Sequence, residues 1–464
     1  MGWTVIAEVQ NGVWTGQEPG WDSPFNLGAH CAKGAAVREH AHGERRLKYP
    51  MKKENGEWKR ISWDQEINEI GDGMMKIREE SGPDSVYWLG SAKNNNEQAY
   101  LFRKFAAYWG TNNVDHQARI CHSTTVAGVA NTWGYGAMTN SYNDIHNSKA
   151  ILIIGGNPLA SNGSIMTVPG VKERLKAIQK RGGKVVVIDP RRTETAKMAD
   201  EHHFVRTGTD VYLLLAIAQV LFEELLVAPG RLDDILDGKK DMARLVANWK
   251  PEKVAETVGL PADAIRKLAR DIAAAPRAAI YSRVGVTTSA HSTLSAGLVH
   301  VINILTGNLD REGGVMFTKP AFDIVALGAL SGDTGSFDRY RSRVHGYPEF
   351  GGEFPVTTLA DEMLTPGKGQ VKAFVSHAGN PVLSCPDGQK LGQALNNLDF
   401  MVSIDFYINE TTRHADIILP PTGQLEHAQF DPIFQAVAVR NVVKFTPALV
   451  AKPEGALHDW EILN

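Results

Sequence analysis

Apolar positions along the chain switch between two periods, and the switches mark the elements. From Trp63 onward Ile67, Ile70, Met74 and Ile77 recur at intervals of three and four, the spacing of one helix face. Ser62 and Gln65 stand where a capping box predicts the start of that helix. The run SVYWLGSAK (85–93) reads as a strand followed by a glycine turn, and a second helix passes through Leu101 and Phe105. Residues 48–116 are therefore expected to be α/β units.

The pattern repeats beyond residue 148. KAILIIGGNP (149–158) is a buried strand entering a glycine loop, VKERLKAIQKRG (171–182) a helix, and KVVVIDPRR (184–192) a second buried strand. Together they predict a right-handed βαβ unit of doubly wound type. Gly155, Gly156 and Asn157 form a loop whose N–H groups suit a phosphate, although it is not the GxGxxG of a nicotinamide site. Asp189 ends the second strand, the edge at which a ribose or base is read. Helices dominate 211–274, AAIYSRVGVTT (278–288) reads as a strand, and 294–305 as a helix. Residues 323–366 are Gly-, Ser- and Asp-rich and are expected to be long loops, and residues 1–47 a short strand followed by turns.

The unit occurs twice. KAFVSHAGNP (372–381) mirrors KAILIIGGNP, GQKLGQALNNL (388–398) supplies the helix, and FMVSIDF (400–406) matches KVVVIDP. Asp200 lies eleven residues after Asp189, and Asp416 eleven after Asp405. Two such halves imply two similar ligands bound about a pseudo-two-fold axis.

Composition narrows the function. The 464 residues are 43% hydrophobic with a net charge of −3, so a general polyanion-binding role is not implied and no nucleic-acid partner is expected. Apolar runs such as 212–220 are too short to span a bilayer, and no export signal opens the chain, so the reading is cytoplasmic, or periplasmic if a signal was lost. Three distant cysteines, at 31, 121 and 385, do not make a disulfide scaffold or a zinc site. Cys121 is followed by His122, which pairs a soft metal ligand and nucleophile with a proton carrier. Alone, such a pair is more often a buried structural cysteine. Next comes STTVAGVANTWGYG (123–136), where small residues would let the backbone approach a large ligand closely.

With the duplication, these stretches resemble the molybdopterin oxidoreductases of the dimethyl-sulfoxide-reductase type. Residues 4–155 are most similar to the catalytic subunit of membrane-linked formate dehydrogenases, a likeness carried by 4–35 and 115–140, while NPLASNGSIMTVPGV, ADEHHFVRTGTD, LTGNLDREGGVMF and SIDFYINETTRHADIILPPTG resemble a less characterised branch. The resemblance implies molybdenum or tungsten held between two molybdopterin guanine dinucleotides, with Cys121 as metal ligand and His122 handling a proton. Lys33, in CAKG, matches the lysine between an iron–sulfur cluster and a pterin. Gly156, Asn157, Asp189, Arg191, Thr209 and Asp210 would contact one dinucleotide. Gly379, Asn380, Asp405, Thr411 and Asp416 would contact the other. Cys31 answers to the fourth cysteine of a [4Fe–4S] motif whose other positions this chain does not supply, with Trp3 at the third.

The implied fold is α/β: two doubly wound lobes related by the repeat, plus a small irregular N-terminal remnant of an iron–sulfur domain. The expected division is 1–47 for that remnant, 48–116 with 321–430 for one lobe, 117–320 for the other, and 431–464 as an extension, with the family's C-terminal β-barrel absent. The early stop and the change of branch near residue 155 read as a fragment or a chimera. The implied function is formate oxidation to carbon dioxide with an electron-transfer subunit or redox acceptor as partner. Alternatives are a molybdopterin oxidoreductase acting on an oxyanion or sulfur compound, and a non-catalytic nucleotide- or pterin-binding fragment. The arginine that holds formate in those enzymes has no counterpart in GGVMFTKPAFDIV, where Lys319 is the nearby cation.

Overall fold

Continuous apolar runs become the central strands of two parallel sheets. The computed structural model describes residues 4–40, 43–116, 118–133, 141–163, 168–332, 335–430, 432, 435 and 440–464. Strands β5 (Val86–Gly90), β6 (Val114–His116), β15 (Ala373–His377), β16 (Phe400–Ile404) and β17 (Ile417–Leu419) run parallel in the larger sheet. β3 (Met51–Glu54) and β4 (Glu57–Arg60) extend its β17 edge antiparallel, giving seven strands in the order β4-β3-β17-β16-β15-β5-β6. The smaller sheet is wholly parallel, in the order β10-β9-β8-β11, from β8 (Ala150–Ile154), β9 (Lys184–Ile188), β10 (Glu201–His203) and β11 (Ala278–Ser282). Beside it, β7 (Ser141–Asn143) pairs antiparallel with β12 (Val315–Phe317).

Helices cover both faces of each sheet, which is why these strands are apolar on both sides. One face of the larger sheet packs Met74, Trp88, Phe102 and Val402 against helices Trp63–Ser81 and Asn96–Trp109, and the other packs Tyr87, Phe374, Leu391 and Ile418. The smaller sheet buries Ile154 and Ile188 against helix Asp210–Glu223 on one face, and Ile153, Val187 and Leu175 on the other. None of the described helices is long and apolar enough to cross a membrane.

The structure departs from the sequence reading in several segments. Residues 13–19, read as turns, form β2 (Val13–Pro19), paired antiparallel with β1 (Val5–Gln10). The strand expected over 278–288 stops at Ser282, and helix Val284–Thr287 follows. The supposed loops of 323–366 contain helices Ile324–Leu330 and Leu359–Leu364 and the hairpin of β13 (Phe337–Arg341) with β14 (Pro348–Phe350). The capping box at Ser62 is half formed: Ser62 Oγ accepts from Gln65 N at 3.3 Å, but the Gln65 amide turns to Glu69. A complete box caps the next helix instead, between Asn95 and Gln98.

Candidate functional site

The repeat is matched in its side-chain hydrogen bonds to a threonine hydroxyl and a glutamate. In the smaller sheet Asn157 follows β8, and its Oδ1 accepts from Thr195 Oγ1 at 2.7 Å, while its Nδ2 donates to Glu194 Oε2 at 2.7 Å. In the larger sheet Asn380 follows β15, with Thr411 Oγ1 at 2.7 Å and Glu410 Oε2 at 2.8 Å in the same roles. Each Asn amide holds its carboxylate partner below the usual range. The threonine hydroxyls also accept from Leu159 N and Val382 N at 3.2 and 3.1 Å, fixing the start of the short helix that follows. Both turns leave their strands at the C-terminal edge, where open α/β sheets bind ligands. Thr411 is fully buried behind its turn, so it supports Asn380 from behind.

The strand-end carboxylates sit beside these turns. Asp189 accepts from Arg191 N at 2.8 Å, and Asp405 from Tyr407 N at 3.1 Å. The side chain of Arg191 is exposed. Asp210 is the first residue of its helix, behind Thr209, and is buried. Burial pushes its carboxyl up, and the charge of Asp189 adds to that. Burial likewise raises Asp405, against the Tyr407 N–H and the charge of Lys93. Asp416 is placed apart from this group. It accepts from Met401 N at 2.8 Å, at the opposite end of β16 from Asp405, as Asp200 accepts from Val185 N at 2.8 Å. The shared spacing of eleven therefore coincides with a clamp between neighbouring strands, away from the turns.

Cys121 and His122 lie in helix Ala118–Trp133, which starts just beyond the C-terminal end of β6. The side chain of Cys121 lies outside the described residues, and His122 is half-buried. Thr124 Oγ1 donates to Thr287 O at 3.4 Å, in the segment that follows β11. The helix therefore leads from the C-terminal edge of the larger sheet to that of the smaller one. Arg119 anchors its start, donating from Nε to both Asp115 oxygens at 2.9 and 3.0 Å and from a terminal nitrogen to Glu353 at 3.1 Å. Burial raises the carboxyls of Asp115 and Glu353, and the Arg119 charge opposes it. Asp115, His116 and Glu353 place ligand atoms within 4.8 Å of one another, but the fixed charge of Arg119 between the carboxylates disfavours a cation there. No sequence signal beyond proximity to Cys121 marked this ion-pair cluster.

The small-residue run works differently from its reading. A Cβ on Gly128 would lie 2.8 Å from Gly297 N and Thr293 O, so that glycine permits contact with helix Ser292–Leu305 rather than with a ligand. Residues 134–136 of the run lie outside the described residues. Cys31 is buried at the start of helix Ala32–Ala35, with a free thiol, and Lys33 on that helix is exposed. Trp3 lies outside the described residues. Cys385 is half-buried, with its thiol pushed up to about 12 by burial.

These residues fit a two-armed cofactor carrying nucleotide-like ends. Two turns with the same pair of side-chain hydrogen bonds and flanking carboxylates offer acceptors to the donor-rich edges of a purine or a ribose. Buried Asn162, at the end of the short helix Pro158–Ser161 that follows the first turn, has an Nδ2 with no hydrogen-bond partner among the described residues.

Comparison with known proteins agrees. The chain is 30% identical over 465 residues to the F420-dependent formate dehydrogenase subunit alpha of Methanocaldococcus jannaschii, covering 98% of this chain and 67% of that one. It is 27% identical over 467 residues to the assimilatory nitrate reductase catalytic subunit of Bacillus subtilis, covering 96% and 63%. The acetylene hydratase of Pelobacter acetylenicus shares the fold, with a TM-score of 0.80 at 24% identity over 99% of this chain and 66% of that one. The chain thus spans about two thirds of the length of the relatives it matches. Residues 46–464 match the molybdopterin oxidoreductase family model, and the chain belongs to that family of enzymes, which implies a molybdopterin cofactor carrying molybdenum or tungsten.

Proposed function

We propose that this chain is the catalytic portion of a formate-oxidising enzyme with two molybdopterin guanine dinucleotides. The observation that carries this reading is the position of Cys121-His122 on a helix leading from one cradle-bearing sheet edge to the other. The similarity to a formate dehydrogenase subunit supports it. When bound, the cofactor supplies the two-electron redox chemistry.

The chain's own residues bind, orient and move a proton. The Asn157 and Asn380 turns would hold the two dinucleotides, with Asp189, Asp210 and Asp405 accepting from their bases or riboses. Cys121 would ligate the metal through its thiolate. Formate oxidation to carbon dioxide releases a proton, and the His122 imidazole takes it, since its ordinary pKa lies near neutrality. The Asp115–Arg119–Glu353 cluster keeps the start of the helix, and so Cys121, in place. Lys33 would favour electron exit toward a redox partner, and Cys31 is the one thiolate this chain offers a [4Fe–4S] cluster, which needs three further ligands.

A second reading, an oxyanion or sulfur substrate, is favoured by the segment after β12. Its cation, Lys319, is exposed and lacks the bidentate fork of arginine. The deciding experiment is formate-dependent dye reduction by the purified chain and by Cys121→Ser, beside nitrate and other oxyanions, with metal content measured in each. Formate turnover lost by ~100-fold or more in Cys121→Ser at unchanged metal and pterin content is the expected result. Turnover of nitrate alone moves the assignment to the second reading, and absence of both metal and turnover defeats the catalytic reading.

A further inference from the structure

The two cradles share their hydrogen bonds but differ in what stands behind them. At the end of β8 the position before the turn is Ile154, fully buried in an apolar core, and the turn begins with Gly155 at φ +57°. At the end of β15 the same position is His377, also fully buried, and the turn begins with Ala378 at φ +52°. That left-handed conformation is free for glycine and strained for alanine. The second cradle therefore carries backbone strain that the first avoids.

His377 is tied down where Ile154 merely packs. Its Nε2 lies 2.5 Å from Asp459 Oδ1, and its Nδ1 accepts from Asn94 Nδ2 at 3.0 Å, which puts the ring proton on Nε2, facing the carboxylate. The other Asp459 oxygen accepts from Gln98 Nε2 at 2.8 Å. Asp459 is buried and opens helix Asp459–Ile462 near the end of the chain, 82 residues from His377. The segment that carries it is latched by further bonds: Trp63 Nε1 donates to Gly455 O at 2.8 Å, and Thr422 N to Leu457 O at 3.1 Å.

We propose that the buried His377–Asp459 pair is a positioning device that holds the strained Ala378-Gly379-Asn380 turn in the shape of its partner cradle, so that the second cofactor arm, unlike the first, depends on docking of residues 452–463. The reference to a cofactor arm rests on the family reading above; the coupling of turn to segment does not. His377 and Asp459 are positioning residues in this account.

Hydrogen exchange of the full chain tests it. In Asp459→Ala, amides of 378–384 should exchange ~10-fold faster while those of 155–161 keep their rates. Adding Ala378→Gly, which removes the strain, should restore most of the protection at 378–384 without restoring it at 455–463. Should Asp459→Ala fold poorly, His377→Gln, which keeps a donor near Asp459, should give the same selective pattern at smaller amplitude. Loosening confined to 455–463 would make the pair a simple anchor and overturn the proposal. So would a rise shared equally by both turns, as from global unfolding. Pterin content, read as fluorescence of the oxidised pterin, should fall at least two-fold in Asp459→Ala. A wild-type chain without pterin defeats the cofactor reading and leaves the exchange comparison standing.

Discussion

Glu66 is fully buried, and neither carboxylate oxygen has a hydrogen-bond partner among the described residues. Burial pushes its pKa from 4.5 to about 8, with the charge of Glu69 adding and that of Lys52 opposing. Between those values the folded chain holds a proton that the unfolded chain has released, so stability falls as pH rises through the window. Glu66→Gln should therefore be more stable than the parent by about 2–4 kcal/mol at pH 9 and nearly equal to it at pH 4, as read by urea unfolding at both pH values. An equal difference at the two pH values would mean that Glu66 is not the titrating group. The helical period placed Ile67 on the buried face, yet Ile67 is 47% exposed and Glu66 takes that place. A one-residue rotation is below what period counting resolves, because a residue's polarity does not report the depth of its surroundings. Asp416 shows the same limit, since both ends of a strand look alike in sequence and only the pairing of β16 with β17 places it at the far one.

Elements were legible where they bury both faces. β5, β8, β9, β15 and β16 are mainly apolar runs, broken only by Lys184, Ser376, His377 and Ser403, and all became central strands. β2, with VWTGQEP, lacks both a run and an alternation, and its partner β1 decides its conformation. Glycines divide in the same way. Gly71 sits in helix Trp63–Ser81 with nothing within 4 Å of the place an alanine methyl would take, whereas Gly128 faces backbone of another helix at 2.8 Å. Gly71→Ala should stabilise the chain by about 0.5–1 kcal/mol through helix propensity. Gly128→Val should destabilise it by about 1–3 kcal/mol or more through overpacking, and should displace the helix that carries Cys121. Thermal melts of the two variants check both signs, and a neutral Gly128→Val would refute the close crossing.

For the whole molecule the test is symmetry. Asn157→Ala and Asn380→Ala each remove the same pair of side-chain hydrogen bonds, to a threonine hydroxyl and a glutamate, each worth about 1 kcal/mol, and Asn157→Ala also removes a long bond from Thr195 N at 3.4 Å. Both variants should fold and should lose at least half of their bound pterin, measured after anaerobic purification. Loss in one variant only would mean that the cradles are not equivalent holders. The sequence alone determined the duplicated βαβ unit, its GNP turns, the acidic strand ends and the Cys-His pair, because strand burial and turn chemistry are local and leave local patterns. Tertiary structure alone decided that Asp200 and Asp416 clamp strands, that Gly128 seats a helix, that Arg119 bridges Asp115 and Glu353, and that His377 meets Asp459. Each of those depends on which distant segment the fold brings alongside. Contacts across 82 or 234 residues leave no periodic trace in the chain that makes them.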